Sequence, residues 1–330
     1  MKSYQRLFLF GLAALAFTAL ISPWAAVAWE QFITGRPDWE VYRYPFSRIF
    51  DRFFMISGII LFFVFRPLLR IGSWSEVGLS PRGHAVRDVS IGVVLALASM
   101  VALGLAMTLT DIFSPFFRLS LSESLARCAK AVLAAIGAGL AEEFFFRGMI
   151  FKGLLEDTSR LRAYFLACLF FAAIHFVKPA DDAVLTTVDP WAGFRHLIYS
   201  FQPFLDPGAL LPGLFGLFLI GAVLCYAFER TGTLYLSIGL HAGWIFSLKT
   251  IRVFGDYKRQ DLGWMFGSTD PKIVSGIITW LGIVAVGVAI YKITQRRSGL
   301  CVKHATSVPL PRFSKKSLSR AAHSEEGRQS

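Results

Sequence analysis

The chain returns repeatedly to apolar runs of about a bilayer's length, and this limits its fold more than any other feature. The runs cover about 7–29, 53–69, 89–110, 130–155, 161–177, 209–228, 233–251 and 273–290. Roughly 20 apolar residues in a helix cross a hydrocarbon core, and a helix satisfies its own backbone groups inside lipid. The expected fold is therefore all-α, a polytopic membrane bundle of about eight transmembrane helices. Composition points the same way: 55% of the 330 residues are hydrophobic and 17% are charged, too apolar for a soluble chain of this size.

Between the runs, the sequence sets expected boundaries. Lys2 and Arg6 ahead of Leu7–Trp29, with Ala26-Val27-Ala28 near its end, resemble a cleavable signal. The run is longer than most signal cores, however, and reads as a retained first helix. Ile71 to Asp88 is a connecting loop, Asp111 to Ala126 an interfacial amphipathic stretch broken by Pro115, and Lys178 to Asp206 the longest loop. Past Gln295 the chain is polar and basic, with Arg296, Arg297, Lys303, Arg312, Lys315, Lys316 and Arg320, and lacks the apolar residues of a core. Residues 1–295 are thus expected to form the transmembrane domain and 296–330 a basic, disordered cytoplasmic tail.

The net charge of +12 is spread over loops and tail with no nucleic-acid motif beside it. It reads as positive-inside topology and attraction to lipid headgroups, so the expected partner is the bilayer and not nucleic acid. Eight spans put both termini on one side. The tail and Arg66, Arg70, Lys152, Arg160 and Arg162 make that side cytoplasmic, against Arg252, Lys258 and Arg259. The short loops suggest a bacterial inner membrane. Cys128, Cys168, Cys225 and Cys301 lie far apart with no CxxC, which indicates neither a disulfide framework nor a thiolate site. The absence of an inverted or periodic repeat weighs against a transporter.

The chemistry sits in the run at 130–155. Its first half is small (Ala131, Ala134, Ala135, Gly137, Ala138, Gly139, Ala141), which lets neighbouring helices approach and places it inside the bundle. Then come Glu142, Glu143 and Arg147. Ionisable groups at membrane depth are costly and mark working sites. Adjacent on a helix, the two glutamates point about 100° apart. Glu143 and Arg147, four apart in acid-first order, form a natural pair and leave Glu142 free. His175 and His241, two of six histidines, also lie in apolar runs. A carboxylate and two imidazoles from three helices can activate water and stabilise an oxyanion, or can hold a metal whose water is the nucleophile. With no local HExxH, spacing does not choose between these.

Glu142-Glu143-xxx-Arg147, then Phe171-xxx-His175, then His241 after Ser237-Ile238-Gly239-Leu240, resemble the signature of the CPBP intramembrane proteases. That family takes in the type II CaaX prenyl endopeptidases and the bacterial Abi proteins, and the likeness covers about residues 120 to 250. It implies an eight-helix membrane hydrolase acting on a membrane-associated peptide or protein. Glu142 takes the place of the catalytic glutamate, His175 of its partner in activating water, and His241 of the oxyanion-stabilising histidine. Glu143 and Arg147 match the supporting pair, and Phe171 opens the second motif. The same likeness allows one divalent metal, such as zinc, on Glu142, His175 and His241. Many members have Asn four residues after the third-motif histidine, where this chain has Ile245. Ser237 and Trp244 share a face with His241 and could donate in its stead.

The leading expectation is an intramembrane endopeptidase that hydrolyses a peptide bond within or next to the membrane. The alternatives are a catalytically degenerate immunity or partner-binding protein, suggested by Ile245, and a transporter with a proton relay through Glu142 and His175. A prenylated substrate does not follow automatically, and the chain's own end, Gly327-Arg328-Gln329-Ser330, is not a CaaX box.

Overall fold

The computed structural model describes residues 2–69, 72–80, 84–177, 183–259, 261–267 and 273–305. Arg70, parts of the two expected loops (71, 81–83 and 178–182) and the tail residues 306–330 lie outside the described residues. Among the described residues the regular structure is helical apart from two three-residue strands. In order come α1 Ser3–Ile33, α2 Phe46–Leu69, α3 Ala85–Leu109, β1 Phe113–Pro115 and α4 Leu121–Glu143, followed by a π-helical stretch, Phe144–Phe151. Then come α5 Lys152–Asp157, α6 Arg160–Ile174, α7 Ala192–Ser200, α8 Pro207–Thr231, α9 Tyr235–Thr250, β2 Gly255–Tyr257, α10 Gly263–Phe266 and α11 Ile277–Ala305. It forms two units, 1–288 and 289–330. The described part of the second is the C-terminal length of α11, whose helix reaches Ala305, so the expected tail boundary after Gln295 falls inside it.

Five helical segments among the described residues are long and apolar enough to cross a membrane: Tyr4–Ile33, Ala85–Leu109, Leu121–Asp157, Pro207–Thr231 and Ile277–Gln295. The other three expected spans are also helices. Of these, α6 and α9 have 15 and 16 residues, short of the roughly 20 a full crossing takes. The third, α2, opens with Arg48, Asp51 and Arg52 in its first turns.

α4 begins at Leu121, well before the expected 130, because Ser120 and Glu123 close a capping box. The Glu123 backbone N–H donates to Ser120 Oγ at 3.4 Å and the Ser120 N–H to Glu123 Oε2 at 3.1 Å. This divides the expected interfacial stretch. Residues 113–115 become β1, paired antiparallel with β2 so that Phe113 faces Tyr257, and 121–126 become the first turns of α4. The expected loop at 178–206 also holds a helix, α7, whose Gly193 abuts the Ala19 carbonyl of α1 and whose His196 ring packs on Phe46 and Phe50 of α2.

The bundle is organised around α9, which packs against α3, α4 and α8. Helices surrounded by protein are apolar on all sides, and Leu236, Ser237, Ile238, Gly239, Leu240, His241, Gly243 and Trp244 are all buried. Close approach depends on missing side chains: a Cβ at Gly239 would overlap the Val89 carbonyl, and one at Gly92 would lie 2.5 Å from the Leu236 carbonyl oxygen. On the other flank, Gly139 of α4 faces Ala242, 3.2 Å from where its Cβ would sit. α3 and α9 run the same way, since Val89 meets Gly239 and Ser99 accepts from Trp244 further along. The β1–β2 pair joins their C-terminal ends, with Lys258 Nζ 2.5 Å from Asp111 Oδ1. The outcome is a rigid α3–α9–α4 sandwich that fixes His241 against the end of α4.

Candidate active site

Glu142 and Glu143 are the last two residues of α4, and the π stretch starts at the next residue. A π turn widens the helix and is frequent at functional sites. Here it carries Phe146 and Arg147, both buried, into the bundle. Glu143 and Arg147 are 0% and 1% exposed, with Arg147 Nη1 2.7 Å from Glu143 Oε1. Arg147 is further held by the Phe171 ring, 4.3 Å from its guanidinium carbon, and by the Gly221 carbonyl of α8 at 3.5 Å. Charges this deep persist only when paired and hydrogen-bonded.

The same Glu143 oxygen takes a second donor, His241 Nδ1, at 2.7 Å. A carboxylate oxygen accepts, so Nδ1 carries a proton and Nε2 is the nitrogen turned toward Glu142. His175, which caps α6, is set in the same way by its backbone: Nδ1 donates to the Phe171 carbonyl at 2.7 Å, which leaves Nε2 toward Glu142. Both Nε2 atoms lie 3.7 Å from one oxygen of Glu142, Oε2. That oxygen is buried and has no hydrogen-bond partner among the described residues. Glu142 and His175 side chains are 32% and 30% exposed while His241 is 7%, so the trio opens on the Glu142–His175 side and is closed behind His241.

Phe171 holds the trio together. Its ring lies 4.6 Å from His175, 5.9 Å from His241 and 5.1 Å from Phe146, and its carbonyl fixes the His175 tautomer. The structure thus brings together Glu142, Glu143, Arg147, Phe171, His175 and His241, all expected from the sequence. The two other expected donors are already engaged. Trp244 Nε1 donates to Ser99 Oγ at 3.0 Å, and Ser237 Oγ donates to the Leu234 carbonyl at 3.0 Å and lies beside Glu143. Ile245 brings only hydrocarbon, and the chain contains no asparagine at all. Gly221 and Ser99 escaped sequence reasoning. The small-residue pattern around Gly221 in α8 was the available signal for the first, and Ser99 had none.

Two imidazole nitrogens and a carboxylate are a donor set that zinc accepts. Among the described residues, however, no group of three or more His, Cys, Asp or Glu is spaced to hold a metal ion.

The fold is an all-α membrane bundle whose site brings a glutamate and two histidines to one point. Residues 124–247 match the family model described as Rce1-like, Type II CAAX prenyl endopeptidase Rce1-like. The matched segment contains every residue of the site, and the match supports a CAAX-type intramembrane protease, a hydrolase. No curated protein and no solved structure matches the chain.

Proposed function

We propose that the chain hydrolyses a peptide bond of a membrane-associated peptide or protein with a water activated between Glu142 and the two histidines. One observation carries this reading: two imidazole Nε2 atoms stand 3.7 Å from the same Glu142 oxygen while each ring's Nδ1 is committed elsewhere. That distance is too long for a direct hydrogen bond and suits one bridging water. Glu142 Oε2 takes the water's proton as the oxygen bonds to the substrate carbonyl carbon, and His175 Nε2 accepts the water's other hydrogen bond and orients it. His241, when protonated on both nitrogens, keeps Nδ1–H on Glu143 and donates Nε2–H to the new oxyanion. Glu142 then gives its proton to the leaving amine nitrogen as the C–N bond breaks. With Trp244 and Ser237 engaged and no asparagine in the chain, His241 is the oxyanion donor in this scheme.

The test is a pair of peptides of one sequence, one carrying a C-terminal prenylated CaaX box and one unmodified, incubated with purified protein in detergent. Cleavage of either, lost in His175→Ala, supports the reading, and preference for one assigns the substrate class. Failure to cut these peptides or any member of a peptide library contradicts it.

Both termini are proposed to face the cytoplasm of a bacterial inner membrane, supported by Arg66, Lys152, Arg160 and Arg162 at one end of the helices. The opposing cations each face an aspartate: Arg252 and Asp256, Lys258 and Asp111, Arg259 and Asp261.

A further inference from the structure

The start of α2 carries a pocket that the catalytic arrangement does not use. It measures about 430 Å3 and is lined by Pro45, Ser47, Arg48, Asp51, Arg52 and Met55. Five of these lie on the first turns of α2 in two adjoining rows, Ser47, Asp51 and Met55 at i, i+4, i+8, beside Arg48 and Arg52 at i, i+4. Two guanidiniums therefore stand along one row, with a carboxylate alongside, and a flexible apolar side chain sits where α2 turns apolar. Arg48, Asp51 and Arg52 are exposed. Among the described residues none of the three forms a salt bridge, whereas nearby Arg43 is held by Glu30 and Glu40.

The surroundings give the depth. Trp29 stacks on Tyr44 with ring centroids 6.4 Å apart, Trp39 meets Tyr42 at 5.7 Å, and the Arg48 guanidinium lies 4.8 Å over Tyr44. Trp and Tyr gather at headgroup level. A pocket at that level with two separated cations and one anion is complementary to a ligand carrying a phosphate and, a short link away, a cation that can donate hydrogen bonds. Guanidiniums bind phosphate oxygens in fork geometry, and an ammonium donates to a carboxylate.

We propose that this pocket binds the headgroup of a phosphoethanolamine phospholipid, with its phosphate on Arg48 and Arg52, its ammonium on Asp51, and its acyl chains running along α2 past Met55. A purely anionic headgroup would satisfy the arginines and set Asp51 against its own sign. A trimethylated one would have no N–H for Asp51.

Native mass spectrometry of the purified full chain tests this, titrating phosphatidylethanolamine, phosphatidylcholine and phosphatidylglycerol of identical acyl chains into the parent, D51N and R48Q/R52Q. The parent binds phosphatidylethanolamine about tenfold more tightly than the other two. D51N brings phosphatidylethanolamine level with phosphatidylcholine, and R48Q/R52Q weakens all three. A parent with no preference, or a D51N variant that keeps it, overturns the proposal. Free phosphoethanolamine that displaces the lipid at equal concentration also overturns it, assigning the pocket to a soluble ligand. If R48Q/R52Q does not fold, D51N decides the matter, since it changes one exposed side chain.

Discussion

Glu142 and Glu143 are neighbours with opposite surroundings, and the difference sets what each can do. Glu143 has two donors, Arg147 and His241, on one oxygen and no exposure at all. Glu142 is a third exposed and faces two imidazole Nε2 atoms across 3.7 Å. Removing the Glu143 charge leaves the Arg147 guanidinium buried and unpaired, so Glu143→Gln costs about 3–5 kcal/mol of stability. Glu142→Gln stays within about 1 kcal/mol of the parent. Thermal unfolding of the two variants in one detergent checks this, and equal losses would contradict it. The Glu143–Arg147 pair was legible in the sequence because it is local, four residues apart on one helix. The bond from His241 to Glu143 was not, since its partners are 98 residues apart and only the packing of α9 on α4 brings them together. The role of Phe171 was half legible: the FxxxH spacing marked the residue, but its backbone carbonyl, which sets the His175 tautomer, leaves no trace in residue type.

At the scale of elements, the glycine faces of α3 and α9 fix where His241 stands. Gly239→Ala would drive a methyl group into the Val89 carbonyl and costs about 1–3 kcal/mol, with loss of activity because His241 is two residues away. Gly137→Ala, on the outward face of α4 with nothing within 4 Å of its Cβ, gains about 0.5–1 kcal/mol instead. Paired unfolding and activity measurements on the two variants check both signs. The β1–β2 pair makes a further prediction. Burial of Asp256 raises its carboxyl, but the Tyr257 backbone N–H and the Arg118 and Arg252 guanidiniums together hold it below the ordinary carboxylate range. A depressed folded-state pKa contributes stability that is present above the unfolded value of about 4 and is lost as pH falls through the folded one. Amide exchange at Phe113, Ser114 and 255–257, corrected for intrinsic rates, should therefore quicken only at pH below about 4 and lose that dependence in Asp256→Asn. These strands were not legible. Three residues are too few for an alternating pattern, and their partners lie on opposite sides of the α4–α9 chain segment. The π stretch was equally silent, because Phe144–Phe151 reads as ordinary helix.

For the whole molecule, apolar length gave the all-α bundle and located each of its long helices, since bilayer-length runs have few other outcomes. It was less informative about how many of those helices cross fully. α6 and α9 have 15 and 16 residues; α9 is mostly buried inside the bundle, whereas α6 keeps an exposed apolar face, and the two carry His241 and His175 to Glu142. The three motifs lie on α4, α6 and α9, and only the assembled bundle converts costly polar residues in separate apolar runs into one site. On that convergence rests our proposal that Glu142 is the base. The direct measurement is the turnover of a cleaved peptide by the parent and by Glu142→Gln, reconstituted in the same lipid at equal folded fraction. The expected result is a loss in kcat of about 100-fold or more with little change in KM. Cleavage by Glu142→Gln at the parent's rate would contradict the account.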